Sequence, residues 1–172
     1  MQRINSVDLH SLIQDYLAAP NERRETTLAA MIREPDAAFA ALTGYRGPYP
    51  DHLPAVDIVP DFLSPLLTEL LRACPRLLLE RDLSALAAGV RWTVLAAASD
   101  ADRPEFAPVI LAGLNDRSLE VKELVVKCIL RYPPLRRAQA RRPLKRLRAQ
   151  KSLAFCRAEI EQALASLDQP GN

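Results

Sequence analysis

The chain has 172 residues, a formal net charge of +2 and a composition that favours helices. Apolar residues make up 49% of it, enough to bury a core, whereas aromatic residues make up only 5% and glycine occupies 5 positions. This composition is typical of an all-α protein and argues against a β sandwich or barrel. No apolar run approaches the length of about 18 residues that spans a membrane, and the first ten residues form no signal core. We therefore expect no membrane span and a cytoplasmic protein.

Three helices are predicted before residue 45. The first begins at Ser6, a favourable N-cap residue, and its apolar side chains recur at helical spacing. The second spans residues 22 to 33 and the third residues 37 to 43, where Gly44 is expected to end the helix in the left-handed conformation. The inward faces of the first two helices are predicted to carry Leu9, Leu12, Ile13, Tyr16 and Leu17, and Leu28, Met31 and Ile32.

A proline-rich loop is predicted over residues 45 to 60. Four prolines lie in this segment, and each removes a backbone donor and disfavours helix at the residue before it. Loops of this length inside a compact domain are often functional or mobile. Tyr45 and Tyr49 lie among the prolines, and they could bind a partner or pack flat on the neighbouring helices.

Helical patterns resume after residue 60 and continue to the end of the chain. Apolar periodicity predicts helices near residues 62 to 71 and over residues 84 to 98. Two prolines mark the start of the next helix. It begins at Pro104, with a kink at Pro108, or only at Pro108. The following helix carries an inward face of Val121, Leu124, Val125, Cys128 and Ile129. The final pair comprises a helix over residues 136 to 151 and another that opens at Ser152.

A two-residue signature recurs in this second half. A small apolar residue precedes a cation at Val90-Arg91, Val121-Lys122 and Cys156-Arg157, with spacings of 31 and 35 residues. In the last two copies a proline, Pro108 or Pro143, lies 13 residues upstream. Self-similarity at this period indicates stacked helical hairpins.

The segment of residues 107 to 130, APVILAGLNDRSLEVKELVVKCIL, resembles a HEAT repeat. Pro108, Leu114, Asp116, Val121 and Lys122 occupy the places that define the family's pattern. The resemblance implies an α-α superhelix of about four to five stacked antiparallel hairpins, forming one HEAT-like domain over residues 1 to 172. It further implies that Asp116 closes the turn and that Lys122, with its counterparts, forms a ladder between repeats. HEAT arrays are scaffolds, so fold is implied more firmly than function.

Charge is distributed unevenly along the chain. No acidic residue lies between Glu123 and Glu159, and residues 124 to 172 contain eleven cations against three acids, a net charge of +8. Residues 1 to 123 carry −6. Such a split favours an acidic partner. We expect the partner-binding residues to be Arg136, Arg137, Arg141, Arg142, Lys145, Arg146 and Arg148, together with Tyr45 and Tyr49.

The basic segment has a second interpretation as the solvated face of a terminal repeat. Solvated faces usually mix charge signs, however, and like charges at i and i+4 repel, as in Arg137 with Arg141. Because Tyr132 is the only aromatic residue among the cations of residues 127 to 151, a nucleic acid would be contacted through its backbone rather than its bases.

Motifs that carry enzymatic chemistry are missing from the sequence. It has no phosphate-binding glycine loop and no recognisable nucleophile turn, and a metal site near His52 is only weakly indicated by its neighbouring aspartates. Three cysteines without a Cys-x-x-Cys pair are expected to be free and buried. HEAT-like DNA glycosylases and bilin lyases are enzymes of this architecture, but only Trp92 offers an aromatic residue for a glycosylase groove and nothing marks a bilin site.

We therefore expect a non-enzymatic adaptor, without cofactor or metal, that recruits an acidic protein partner through its basic C-terminal face or its concave surface. A nucleic-acid backbone binder is the first alternative. An immunity-type inhibitor that uses the acidic residues 1 to 123 is the second.

Overall fold

The computed structural model describes residues 6 to 45 and 63 to 168. Within these two ranges the protein is all-α, with ten α-helices and no strand. Of the predicted proline-rich loop, only Tyr45 lies inside the described residues. The helices are α1 Ser6–Ala18, α2 Pro20–Arg33, α3 Pro35–Thr43, α4 Ser64–Ala73, α5 Arg76–Leu79, α6 Ala88–Asp100, α7 Ala107–Ala112, α8 Leu119–Arg131, α9 Arg141–Arg148 and α10 Arg157–Ser166.

The chain divides into two compact units, residues 1 to 101 and residues 102 to 172. In the first unit, α1 packs on α2 and α3, α2 packs on α4, and α4 packs along α6. Its core is aliphatic, with Phe39 as the bulkiest of its fully buried side chains. Asp36, in the first turn of α3, pairs with Arg76 at 3.1 Å and with Arg81 at 2.7 Å. These exposed pairs join α3 to the segment around α5 and contribute little stability by themselves.

The predicted helices of the first unit are present, with three differences in detail. Gly44 ends α3 at φ −97°, outside the left-handed region, so the prediction for its conformation was wrong. Glycine suits this position because a Cβ there would lie 2.8 Å from the carbonyl oxygen of Ala40. Ile32 is 41% exposed, away from the inward side of α2. The predicted helix over residues 84 to 98 begins only at Ala88, after a 3-10 turn at Leu83–Ala85.

The second unit contains two pairs of consecutive helices, each joined by a short connection, and we refer to these pairs as its two hairpins. In each hairpin a short first helix, α7 or α9, leads through 3-10 segments to a longer helix, α8 or α10. Helix α10 packs against both α8 and α9. Pro108 and Pro143 each lie in the first turn of their helix, where a missing N–H costs no helical hydrogen bond. Pro108 therefore starts α7 rather than kinking it.

The turn that joins α7 to α8 follows the expected chemistry. The Asp116 side chain accepts a hydrogen bond from the backbone N–H of Ser118 at 2.8 Å. The Ser118 hydroxyl in turn accepts from the N–H of Val121 at 3.4 Å and caps α8. The prediction that Asp116 closes this turn is confirmed.

Most of the predicted inward face of α8 is buried, and Val126, which was not predicted to face inward, is buried as well. Val121, Val125, Cys128 and Ile129 are buried, whereas Leu124 is half-buried. By contrast, the predicted helix over residues 136 to 151 is wrong in its length, since α9 comprises only residues 141 to 148 and 3-10 segments flank it. The apolar members of all three repeated pairs, Val90, Val121 and Cys156, are buried.

All three cysteines are free, Cys128 and Cys156 are buried as expected, and Cys74 is half-buried. Burial also raises the pKa of the Cys156 thiol, which leaves it protonated and unreactive at neutral pH. Across the described helices, none is long and apolar enough to cross a membrane.

Candidate partner-binding site

Tyr45 packs against neighbouring residues, which is one of the two roles that the sequence allowed for it. Its side chain is 3% exposed, its hydroxyl accepts a hydrogen bond from the Gln14 amide at 2.7 Å, and its ring stacks on His10 with centroids 5.8 Å apart. Tyr45 thus presents almost no surface to a partner. Tyr49, with which it was grouped, lies outside the described residues.

Two of the seven predicted partner-binding cations hold the second unit together. The Arg136 guanidinium donates to the carbonyl groups of Ile129 at 3.3 Å and Leu130 at 2.9 Å. These carbonyls belong to the last turn of α8 and have no helical donor of their own, so Arg136 caps that helix. Arg137 donates to the carbonyls of Pro134 and Pro104, at 2.9 and 3.2 Å.

Arg141 and Arg146 also have protein partners. Arg141 forms an exposed ion pair with Asp168, which lies beyond the end of α10. This hydrogen bond lowers the pKa of the Asp168 carboxyl and raises that of the Arg141 guanidinium. The Arg146 guanidinium donates to the side-chain oxygen of Asn115 at 2.8 Å and so joins α9 to the turn after α7.

The other three predicted cations, Arg142, Lys145 and Arg148, form what we call the α9 stripe. All three are exposed, and they make no hydrogen bond or ion pair with any described residue. They follow one another at i, i+3 and i+6 on the solvent side of α9, opposite the buried Leu144 and Leu147. At 1.5 Å rise per residue the α9 stripe is about 9 Å long. Lys145 also lies close enough to Asp168 to lower the pKa of that carboxyl slightly.

A groove lined in part by α9 opens between the two hairpins of the second unit. It has a volume of about 280 Å³. Its polar lining consists of Asn115 and Lys122 from the first hairpin and Arg146 and Gln150 from the second, with no acidic residue among them. Its apolar lining is Leu114, Pro143 and Leu147. We call this site the hairpin groove.

The cations of the three repeated pairs have different environments. Arg91 is 3% exposed and its guanidinium donates to the Leu86 carbonyl at 2.5 Å. Lys122 lines the hairpin groove, and its side chain forms no hydrogen bond or ion pair with the described residues. Arg157 is exposed in the first turn of α10. These three cations do not share one kind of contact. The ladder between repeats that the resemblance implies therefore remains a prediction.

A different charged group lies on α8, near the start of α10. Lys127 forms an ion pair with Glu123 at 2.5 Å, and this bond is the main cause that raises the pKa of Lys127. Glu159, at the start of α10, raises it further. Two carboxylates therefore flank one ammonium group where the two hairpins pack, on exposed surface where such pairs are weak.

Few features of the described residues suggest catalysis. No group of three or more histidine, cysteine or acidic side chains in residues 6 to 45 and 63 to 168 could hold a metal ion. The loop around His52 lies outside these ranges. The Tyr132 hydroxyl is buried without a hydrogen-bond partner in the described part of the chain, and burial, helped by the nearby Asp102 carboxylate, raises its pKa. That makes Tyr132 a poorer proton donor at neutral pH.

Of the residues that line the hairpin groove, the sequence predicts only Arg146 to bind a partner. Lys122 was noticed as part of a repeated pair, and that spacing was the one available signal for it. Asn115 and Gln150 carry no sequence signal, because only the packing of α9 beside the α7–α8 turn brings them together. Comparisons of the chain with models of known families, with curated proteins and with solved structures find no significant match.

Proposed function

We propose that the protein is a non-enzymatic binding module, built from stacked helical hairpins, that recruits an acidic protein partner through the α9 stripe. One observation carries the proposal: Arg142, Lys145 and Arg148 lie exposed on one short helix, and no described acidic residue pairs with them. A solvated face of that kind costs free energy through like-charge repulsion. An acidic ligand removes this cost.

The hairpin architecture is supported by features that recur 35 residues apart. Pro108 and Pro143 occupy the first turns of α7 and α9, and Val121 and Cys156 are both buried where the longer helices begin. Helix α8 packs on α10, as successive repeats of an α-solenoid do. A HEAT-like array extending through the whole chain is part of the proposal, and it would supply the rigid surface that holds the α9 stripe in place.

A protein partner suits the α9 stripe better than a nucleic acid does. Four of the seven predicted arginines and lysines already donate to protein groups, so the cations free to contact phosphates are fewer than the sequence suggests. No aromatic residue lies on α9 to stack on a base. A stripe of about 9 Å matches a little under two helical turns, or a short loop, of an acidic protein, whereas duplex binders generally contact more phosphates.

Fluorescence anisotropy with two labelled probes tests this proposal. The probes are a short glutamate-rich peptide and a generic duplex DNA, each titrated with the protein over a range of salt concentrations. We expect the peptide to bind more tightly than the DNA. Replacing Arg142, Lys145 and Arg148 together by serine should weaken peptide binding on the order of tenfold, since exposed charge pairs contribute about 0.2–1 kcal/mol each.

A variant matched in charge provides the control. Arg131, Lys151 and Arg157 are exposed cations of the second unit outside the α9 stripe, and replacing them by serine removes the same charge. We call the protein in which serine replaces Arg142, Lys145 and Arg148 the α9 variant. If the control variant loses as much affinity as the α9 variant, binding depends only on net charge and the proposal fails. Tighter binding to DNA than to the peptide would favour the nucleic-acid alternative instead.

A further inference from the structure

We infer that the hairpin groove receives a single glutamate side chain of the partner, and this inference rests on the proposed function. The α9 stripe would attract an acidic surface in general, whereas the hairpin groove would hold one specific side chain. Arg146 and Pro143 belong to the same helix as the α9 stripe, and Arg142 lies one turn before Arg146, so a partner that contacts Arg142 lies close to the hairpin groove.

The charges that line the hairpin groove favour the binding of an anion. Lys122 and Arg146 both face this small space, and none of its lining residues is acidic. Two cations that share a partly enclosed site repel each other more strongly than two cations in bulk water. A carboxylate between them removes the repulsion and gains charge-assisted hydrogen bonds.

One cation of the hairpin groove is already held in place. The Arg146 guanidinium is held by the Asn115 side-chain oxygen at 2.8 Å. Arginine has five N–H donors in a planar fork, so most of them stay available to a carboxylate. Because the Asn115 oxygen is the acceptor, its amide N–H₂ remains a donor, and the Gln150 amide adds another. Such preorganisation lowers the entropy lost on binding.

The size and the apolar lining favour glutamate over a bare anion. A volume of about 280 Å³ is at the lower limit of small-molecule sites, and it admits one side chain rather than a nucleotide. Leu114 and Leu147 are buried side chains at its apolar side, where the methylene groups of glutamate can pack. A phosphate or sulfate ion has no apolar part to contact these residues. Aspartate has one methylene fewer and reaches less far.

Peptide binding measured on single variants of the full chain tests this inference. The probe is the labelled glutamate-rich peptide, compared with peptides in which aspartate or glutamine replaces glutamate. We expect the order glutamate, aspartate, glutamine from tightest to weakest. Lys122→Ala should weaken binding of the glutamate peptide on the order of tenfold, the typical effect of losing one charge-assisted hydrogen bond. Arg146→Ala should weaken it at least as much.

Control variants separate this inference from the proposed function. Lys151→Ala and Arg131→Ala remove a cation outside the hairpin groove and should leave affinity nearly unchanged. Arg146→Ala also breaks the contact with Asn115, so its melting temperature is measured, while Lys122→Ala removes no side-chain hydrogen bond within the described residues and serves as the decisive variant. If Lys122→Ala binds the glutamate peptide as the wild type does, the inference is overturned. The proposed function then still stands provided that the α9 variant loses binding, and it falls as well if that variant binds normally.

Discussion

The arginines near α9 differ in what their guanidinium groups contact, and this difference decides which of them can bind a partner. Arg136 and Arg137 donate to backbone carbonyls, which makes them structural. Arg142 and Arg148 donate to no described group. Sequence cannot make this distinction, because the carbonyl that Arg137 reaches belongs to Pro104, 33 residues away. A run of cations thus predicts a basic surface but not which of its members are free.

The Arg141–Asp168 pair gives a prediction at the residue scale. The hydrogen bond from Arg141 lowers the pKa of the Asp168 carboxyl below its usual value. A carboxyl whose pKa is lowered in the folded state stabilises the fold above its unfolded-state pKa, and that stability is lost as pH falls through the folded-state pKa. The fold therefore loses this stability below about pH 4, and the loss is small because the Arg141–Asp168 pair is exposed.

NMR titration of the side-chain carboxyl carbons measures this directly. In the wild type the pKa of Asp168 should lie below the usual aspartate range, and in Arg141→Gln it should return toward that range. An Asp168 pKa that is the same in both proteins would show that the ion pair does not form in solution.

At the scale of helices, the sequence predicted which residues face the core better than it predicted where each helix begins and ends. The face of α8 was recovered because helical periodicity and burial select the same residues, with only Leu124 half-buried. The length of α9 was not recovered, since its cations all favour helix and nothing local marks the change to 3-10 geometry. Leu153, inside the segment Lys151–Cys156, has φ −108° and ψ 18°, a kink that propensity does not encode. The exposed Phe155 follows it and was also not anticipated.

Helix α8 provides the prediction at this scale. Val125 is fully buried on the face that packs within the second unit. Val125→Asp places an unpaired charge in that core and should destabilise it by about 3 kcal/mol or more. Circular dichroism melting should show a large loss of stability. Ala158→Asp, which adds the same charge at an exposed site in the first turn of α10, should melt close to the wild type. Similar melting of the Val125 variant and the wild type would show that the packing of α8 is described incorrectly.

For the whole molecule, the net charge of +2 conceals a split between −6 over residues 1 to 123 and +8 over residues 124 to 172. A chain with this distribution attracts acidic ligands to one part of its sequence and repels them from another. Such attraction weakens as salt is added, because the screening length falls from about 10 Å at 0.1 M to about 3 Å at 1 M. If the proposed function holds, an acidic partner must therefore contact the second unit.

Amide NMR spectra recorded while the glutamate-rich peptide is added test this requirement most directly. We expect the shifts of residues 141 to 151, Asn115 and Lys122 to change together and saturate, while those of residues 6 to 45 stay in place. In the variant that lacks Arg142, Lys145 and Arg148, the same changes should require on the order of tenfold more peptide. Shift changes centred in residues 1 to 101, or changes that persist unaltered in that variant, would contradict the account.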